Sequence, residues 1–268
     1  MKKSIVACLS LGLAFFTSGC GAEPARPLVT HEYEVASFSK IKMDLFTSDL
    51  EFKVGENDQT KVVCREEEKQ YHTVEVKDDT LTIQAVDERT WQEKGFDWRM
   101  ETLKVTVFVP AKEFAEANIG SHTGDIAIPS DYSFGELFVN FGTGNVSVLS
   151  DVTGTSHIEG TTGNLHVEGE AGIYDVSTST GNITLKEATA KTIKAKASTG
   201  NITFEDADAS EAIDATASTG NIRGSLLSGK TFEATSKTGK VEVPASTPGA
   251  APCHLKTSTG DIKITVKA

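Results

Sequence analysis

The chain has 268 residues, and its 38 acidic and 26 basic side chains give it a formal net charge of −12 at pH 7. Such acidity argues against nucleic acid as a partner and against charge-driven adhesion to anionic lipid, because both depend on basic surfaces. Of the four cysteines, Cys8 and Cys20 lie in the first twenty residues, which leaves Cys64 and Cys253 for the folded part.

The first twenty residues have the pattern of an export signal. Lys2 and Lys3 precede an apolar run over residues 5–16, and small residues follow as far as Cys20. The run is shorter than the roughly twenty residues of a comfortable transmembrane helix. The segment resembles a bacterial lipoprotein signal, although Thr17 stands where leucine is usual. This resemblance implies lipidation of Cys20, which becomes the first mature residue.

We therefore predict a lipoprotein signal peptide over residues 1–19 and a lipid anchor and linker over residues 20–34. The alternatives are a plain signal peptide cleaved near Ala22 or an uncleaved anchor. Loss of the two lysines changes the net charge of the mature chain from −12 to −14. Gly21, where an aspartate would signal inner-membrane retention, implies by the same resemblance an outer-membrane location in a diderm cell.

Residues 35–110 contain strand-like runs at 41–45, 50–54, 80–83 and 103–109. We predict irregular β-coils that cap a repeat array, because terminal repeats are normally atypical. A degenerate corner is predicted at residues 47–50, with Ser48 in the position that glycine takes elsewhere. The least repetitive stretch, residues 87–100, contains Trp91, Phe96 and Trp98 among charged residues.

These three aromatic residues have two interpretations. They could form a binding site for a protein or glycan partner, or they could plug the open end of the first coil. The usual burial of large aromatic side chains favours the plug.

A Thr-Gly step, mostly followed by Asn or Asp and a branched apolar residue, recurs at spacings of 18 to 21 residues. Because only glycine reaches a positive φ without strain, each step predicts a tight corner rather than a catalytic loop. The asparagines after the glycines predict a hydrogen-bonded ladder. The corner glycines are Gly124, Gly144, Gly163, Gly181, Gly200, Gly220, Gly239 and Gly260.

Around each corner, apolar and polar residues alternate with the period of two that indicates a strand. Aligned on their glycines, the repeats have apolar columns, such as the one that contains Ile126, Val146 and Leu165. We predict an all-β, single-domain β-solenoid of about eight coils over residues 111–268, with the coils of residues 35–110 as its cap. The alternative is a β-sandwich or a meander of hairpins.

The C-terminal end has a Pro/Ala/Gly-rich loop at residues 244–252 before a last strand at 262–266. Since no capping helix follows, we predict an uncovered last coil that is open to edge-to-edge self-association. Cys253 lies in an apolar column and is predicted to be a small buried side chain. Cys64 belongs to the opposite end, so a disulfide between the two is not expected.

Three features together resemble the bacterial "putative adhesin" family, a domain of unknown function. They are Val-Thr-Val-Phe-Val-Pro at residues 105–110, Gly-Ser-His-Thr-Gly-Asp-Ile at 120–126 and the iterated Ser-Thr-Gly-Asn-Ile units. The resemblance covers about residues 35–268. It implies a β-solenoid in a surface or periplasmic protein, and it does not imply any particular activity.

An enzyme or metal site needs clustered side chains, and the sequence indicates none. The histidines are scattered without a metal-ligand spacing, and Arg223 is the sole arginine after residue 110, three repeats from His166. Calcium needs more carboxylates than Asp125 and Asp261 supply at the corners. We therefore predict no catalytic residue, no metal and no cofactor.

The predicted function is that of an exported, lipid-anchored envelope protein that binds a protein or glycan partner. The first alternative is a purely structural scaffold without a specific ligand. The second is a polysaccharide-active enzyme that uses Arg223.

Overall fold

The computed structural model describes residues 27–56, 60–91 and 102–267, and the chain there is almost entirely β-strand. In these ranges no helix has the length and apolar character needed to cross a membrane. The strands are β1 (Val29–Glu34), β2 (Lys40–Leu45), β3 (Ser48–Val54), β4 (Lys61–Glu66), β5 (Gln70–Lys77), β6 (Thr80–Asp87), β7 (Leu103–Val109), β8 (Glu113–Thr123), β9 (Ile126–Ile128), β10 (Ser133–Thr143), β11 (Val146–Val148), β12 (Asp151–Thr162), β13 (Leu165–Thr180), β14 (Ile183–Thr199), β15 (Ile202–Thr219), β16 (Ile222–Leu226), β17 (Thr231–Thr238), β18 (Val241–Glu242), β19 (Pro252–Thr259) and β20 (Ile262–Val266).

From β8 onward the strands of neighbouring repeats pair in parallel, which gives an all-β, solenoid-like stack. Val139 lies between Ile119 and Ile158 in register, and Val146 lies between Ile126 and Leu165. The apolar columns of the sequence are therefore columns of hydrogen-bonded neighbours. A meander of hairpins would need antiparallel pairs, and that alternative is wrong for the repeats.

Most of the predicted core columns are buried along the axis of the stack, and Cys253 is fully buried as expected. In the column that contains Ile126 and Val146, one residue is not buried as predicted, because Val241 is 41% exposed. The reason is its position, because β18 pairs with β20 and lies at the outer end of the stack.

The corners are stacked so closely that only glycine fits. All eight corner glycines have φ between +137° and +150°. At Gly163 an added Cβ would also overlap the carbonyl oxygen of Gly144 in the neighbouring corner. Two independent constraints, backbone conformation and stacking distance, thus select the same residue.

The predicted asparagine ladder is confirmed. The side-chain amides of Asn164, Asn182 and Asn201 each donate to Oδ1 of the preceding rung over 3.1 Å. The ladder then continues through backbone amides, since Asp261 N donates to the Asn221 side chain and Lys240 N donates to the Asp261 side chain. Lys240 is the last rung of this series. No further rung follows it, so its side chain does not have to accept a hydrogen bond.

The order of the ladder reveals that the last two coils are exchanged in space. β19 lies between β15 and β17, and β20 lies between β16 and β18. The last coil in sequence is therefore internal, and the prediction that it is uncovered is wrong. The outer coil consists of β17 and β18, where Ser246 Oγ accepts a hydrogen bond from the Phe232 amide and covers part of the edge. Self-association stays a prediction.

The N-terminal end has a similar exchange. The predicted strand runs before residue 110 are confirmed, and Leu50 lies in register with Ile126, as the degenerate corner at Ser48 requires. β2 and β3 lie between β8 and β9 on one side and β6 and β7 on the other. β4 then pairs with β7 and β5 pairs with β6, both in antiparallel orientation, and β1 pairs with β4. The folded part thus includes residues 29–34 of the predicted linker.

Candidate functional site

The connection between β6 and β7, residues 88–102, replaces a tight corner and is called the tryptophan loop below. Leu103 pairs with Ser48, so this loop emerges beside the corner at Ser48. The neighbouring coil turns there with only Phe46 and Thr47 between its strands. The loop therefore leaves the edge that carries the corner ladder, at the N-terminal end of the stack.

The base of the tryptophan loop is held by several contacts. The Arg89 guanidinium donates from Nε and Nη2 to the two Asp87 oxygens, each over 2.9 Å. The Glu88 amide donates to the Lys69 carbonyl over 2.8 Å, and the Tyr71 hydroxyl donates to the Glu88 carboxylate. This hydrogen bond raises the pKa of Tyr71. The loop base is thereby attached to the turn between β4 and β5 and to β5 itself.

Trp91 projects from this base and is 80% exposed. The prediction that it plugs the first coil is wrong, because the interior there is already filled by buried residues such as Leu81, Ile83 and Val105. The other two predicted binding residues, Phe96 and Trp98, lie outside the described residues.

A buried polar cluster, consisting of Ser48, Cys64, Glu66 and His72, lies inside the coils at the same edge. Strand alternation explains its composition, because β4 turns residues 62, 64 and 66 inward and β5 turns residues 70 and 72 inward. All four residues are no more than 1% exposed. His31 on β1 joins the rim of the cluster as the cross-strand partner of Cys64.

Hydrogen bonds connect the cluster in series. Glu66 Oε2 lies 2.8 Å from His72 Nδ1 and also accepts from the His72 backbone amide over 2.8 Å. His72 Nε2 lies 3.0 Å from Ser48 Oγ, and Glu66 Oε1 lies 2.7 Å from His31 Nδ1. A carboxylate can only accept, so a neutral His72 in this arrangement has its proton on Nδ1, and its Nε2 then accepts from the serine hydroxyl.

The Ser48, His72 and Glu66 series has the connectivity of a hydrolase triad, but its environment does not suit that chemistry. A nucleophilic serine must meet its substrate, and Ser48 is buried. Burial and the charge of Glu66 also raise the pKa of the Cys64 thiol, which keeps it a poor nucleophile. The arrangement is therefore suited to holding side chains, or an ion between them, rather than to attacking a substrate.

Sequence spacing missed this cluster because its members come from three strands. Cys64, Glu66 and His72 have ligand atoms that all lie within 4.8 Å of one another, although residues 31, 48, 64, 66 and 72 form no recognised spacing. One signal was available: polar residues occupy inward positions of strands whose other inward residues are apolar.

The other residues considered from sequence do not join a site. His166 contacts Glu168, and Arg223 is exposed in register with Lys263, so neither approaches the polar cluster along the stack. Cys253 is buried at the opposite end, and burial raises its pKa to about 12. Near that end lies a cavity of about 540 Å³, whose wall includes Lys230 paired with Asp208 over 2.6 Å.

One solved structure agrees with the observed fold, and two others that match the chain are less similar. A "putative adhesin" from Bacteroides fragilis has a solved structure with a TM-score of 0.57 and 20% identity, covering 91% of this chain and 100% of that chain. A "putative adhesin" from Parabacteroides merdae has a TM-score of 0.42 and 15% identity, covering 89% and 96%. A "putative lipid binding protein" from Parabacteroides distasonis has a TM-score of 0.44 and 14% identity, covering 89% and 97%.

The family assignment depends on a match to a protein-family model and not on these structures. No curated protein matches the chain in sequence. The model of the Toastrack DUF4097 family matches residues 38–265, which is most of the chain. The predicted membership in the "putative adhesin" group of unknown function is confirmed, and the chain belongs to the Toastrack DUF4097 family.

Proposed function

We propose that this protein is a non-enzymatic, exported cell-envelope lipoprotein that binds a protein or glycan partner through the tryptophan loop. The observation that carries the proposal is the 80% exposure of Trp91 on a base held by Arg89, Asp87 and Glu88. The structural neighbour described as a "putative adhesin" is consistent with a binding role, and its description names no partner.

The exposed indole favours binding for an energetic reason. Tryptophan is among the side chains that contribute most to interfaces, because it buries a large apolar area together with an N–H donor. A side chain presented from a fixed base also loses less conformational entropy on binding than one on a free loop. The Arg89 to Asp87 pair supplies such a base.

The position of the loop suggests where the partner lies. β1 begins at Val29, which pairs with Glu66, so the chain enters the fold at the edge from which the tryptophan loop leaves. Eight residues separate Val29 from Cys20, and the nine Cα–Cα steps between them can span at most about 30 Å. A lipid on Cys20 would therefore hold the loop near the membrane surface. We infer a partner within the same envelope, either a membrane protein or a surface glycan.

The lipid anchor has its own test. Cys20→Ser should abolish lipid modification of the mature N-terminus, because the thiol is the acylated group. Mass spectrometry of the N-terminal peptide from a bacterial expression host checks this. An unmodified N-terminus in the parent protein, for example after cleavage near Ala22, would show that the anchor is absent.

Trp91→Ala should remove partner binding while changing the free energy of unfolding by no more than about 0.5 kcal/mol, because the indole is mostly in water. The matched control is Leu227→Ala, since Leu227 is another exposed apolar side chain at 42%. Binding is measured on a glycan array and by photo-crosslinking in envelope membranes, with a photoreactive aromatic residue at position 91 or 227.

A discrete crosslinked partner or a glycan signal at position 91, absent at 227 and lost in Trp91→Ala, is the expected result. Both tryptophans of the chain lie in the loop, so a shift of intrinsic fluorescence on adding that partner would independently report its engagement. Equal crosslinking at both positions with no array signal would favour the structural scaffold. Lower stability of Trp91→Ala would indicate that the indole packs against the fold.

A further inference from the structure

We propose that the buried polar cluster is a zinc site, with Cys64, Glu66 and His72 as ligands. This inference concerns the interior of the cap and goes beyond partner binding. The ligand atoms, which are Cys64 Sγ, a Glu66 carboxylate oxygen and a His72 ring nitrogen, lie within 4.8 Å of one another. They come from two consecutive strands, since β4 carries Cys64 and Glu66 and β5 carries His72.

The donor set selects the class of ion. Thiolate, imidazole and carboxylate together are a zinc-type combination, whereas calcium and magnesium prefer sets of oxygen atoms. A tetrahedral zinc ion separates its nitrogen, oxygen and sulfur ligands by about 3.3–3.7 Å, given the usual bond lengths. Glu66 Oε2 and His72 Nδ1 are 2.8 Å apart, so these two atoms need to separate by less than about 1 Å to bind the same ion.

Charge balance also favours a divalent cation. The Glu66 carboxylate is buried and meets imidazole nitrogens of His31 and His72. Burying a carboxylate is costly unless its charge is compensated. A zinc ion bound to one carboxylate and one thiolate is neutral overall, and the ion itself stabilises the deprotonated thiol.

Two neighbouring residues are placed to position the ligands. When His72 binds zinc through Nδ1, its Nε2–H can donate to Ser48 Oγ, which lies 3.0 Å away. His31 holds the second Glu66 oxygen over 2.7 Å and orients the carboxylate. The His31 side chain is 30% exposed, whereas Glu66 is 1% exposed, so His31 connects the cluster with solvent.

The test uses the full chain, purified without a metal-chelating tag and dialysed against zinc-buffered solution. Elemental analysis should find about one zinc ion per chain. The cobalt-loaded protein should show the near-ultraviolet charge-transfer absorption of a cobalt–thiolate bond. Zinc should raise the unfolding temperature of the parent protein. Cys64→Ala and His72→Gln should lose the ion, and Cys64→Ala should also lose the absorption band.

Cys253→Ala is the matched control, because Cys253 is the other buried cysteine and lies at the far end of the stack. It should keep zinc and the cobalt band. His31→Gln should weaken zinc affinity about tenfold or more, as changes around metal ligands commonly do. Absence of stoichiometric zinc in the folded parent chain would overturn the proposal. Zinc or a cobalt–thiolate band that survives Cys64→Ala would overturn it as well.

Discussion

Gly163→Ala should destabilise the protein by about 4 kcal/mol or more, which is exceptional for the addition of one methyl group. Gly163 has a φ of +146°, where an alanine is strained. Its Cβ would also overlap the carbonyl oxygen of Gly144, and that atom cannot move without shifting the neighbouring corner. Chemical denaturation followed by circular dichroism measures the loss.

The control for this substitution is Gly249→Ala. Gly249 also has a positive φ of +79°, but a Cβ there would meet no atom within 4 Å. The expected cost is about 1 kcal/mol, which reflects backbone strain alone. Equal losses for the two variants would show that φ, rather than the stacking of corners, makes glycine necessary.

Truncation of the chain after Ala251 should unfold the repeat that precedes the deletion. The removed strands β19 and β20 lie between β15–β16 and β17–β18, so β17 and β18 lose their only strand partners among the described residues. Backbone amides of residues 231–243 should then exchange at the rate of an unfolded chain. Hydrogen exchange with mass spectrometry measures this, and strands β8 to β14 should keep their protection.

A deletion of residues 230–250 removes the outer coil instead of the internal one. It leaves five residues between Leu226 and Cys253, the number that separates their register partners Ala207 and Ile213 in the adjoining coil. The outer coil is removed, and β19 and β20 can close the stack in sequential order. Although this variant lacks more residues than the truncated chain, we expect it to stay folded. Protection of residues 231–243 in the truncated chain would contradict the exchanged order of coils.

The repeat itself could be predicted because the physical signals are local. A corner needs glycine within one tight turn, and strand alternation determines which side chains face inward over a few residues. The columns at Ile126, Val146 and Leu165 are buried for this reason. The asparagine ladder follows from the same alignment, since equivalent side chains of stacked corners must meet.

The tryptophan loop could be located from sequence, but the environment of its first indole could not. The interruption of the repeat marks residues 87–100, and composition alone allows either a plug or an exposed side chain. The interior volume of the cap decides between them, because Leu81, Ile83 and Val105 already occupy it. That volume depends on strands β2, β3, β6 and β7 together.

By itself, the sequence determined the all-β repeat, the corner glycines and the inward columns, because these depend on contacts within one coil or between like coils. Only the tertiary structure decided the order of the coils at both ends, since every coil presents a similar strand edge to its neighbours. It also decided the assembly of Cys64, Glu66 and His72 beside His31 and Ser48. Their proximity arises from the pairing of β4 with β1 and β7, of β5 with β6 and of β3 with β7, which no local pattern specifies.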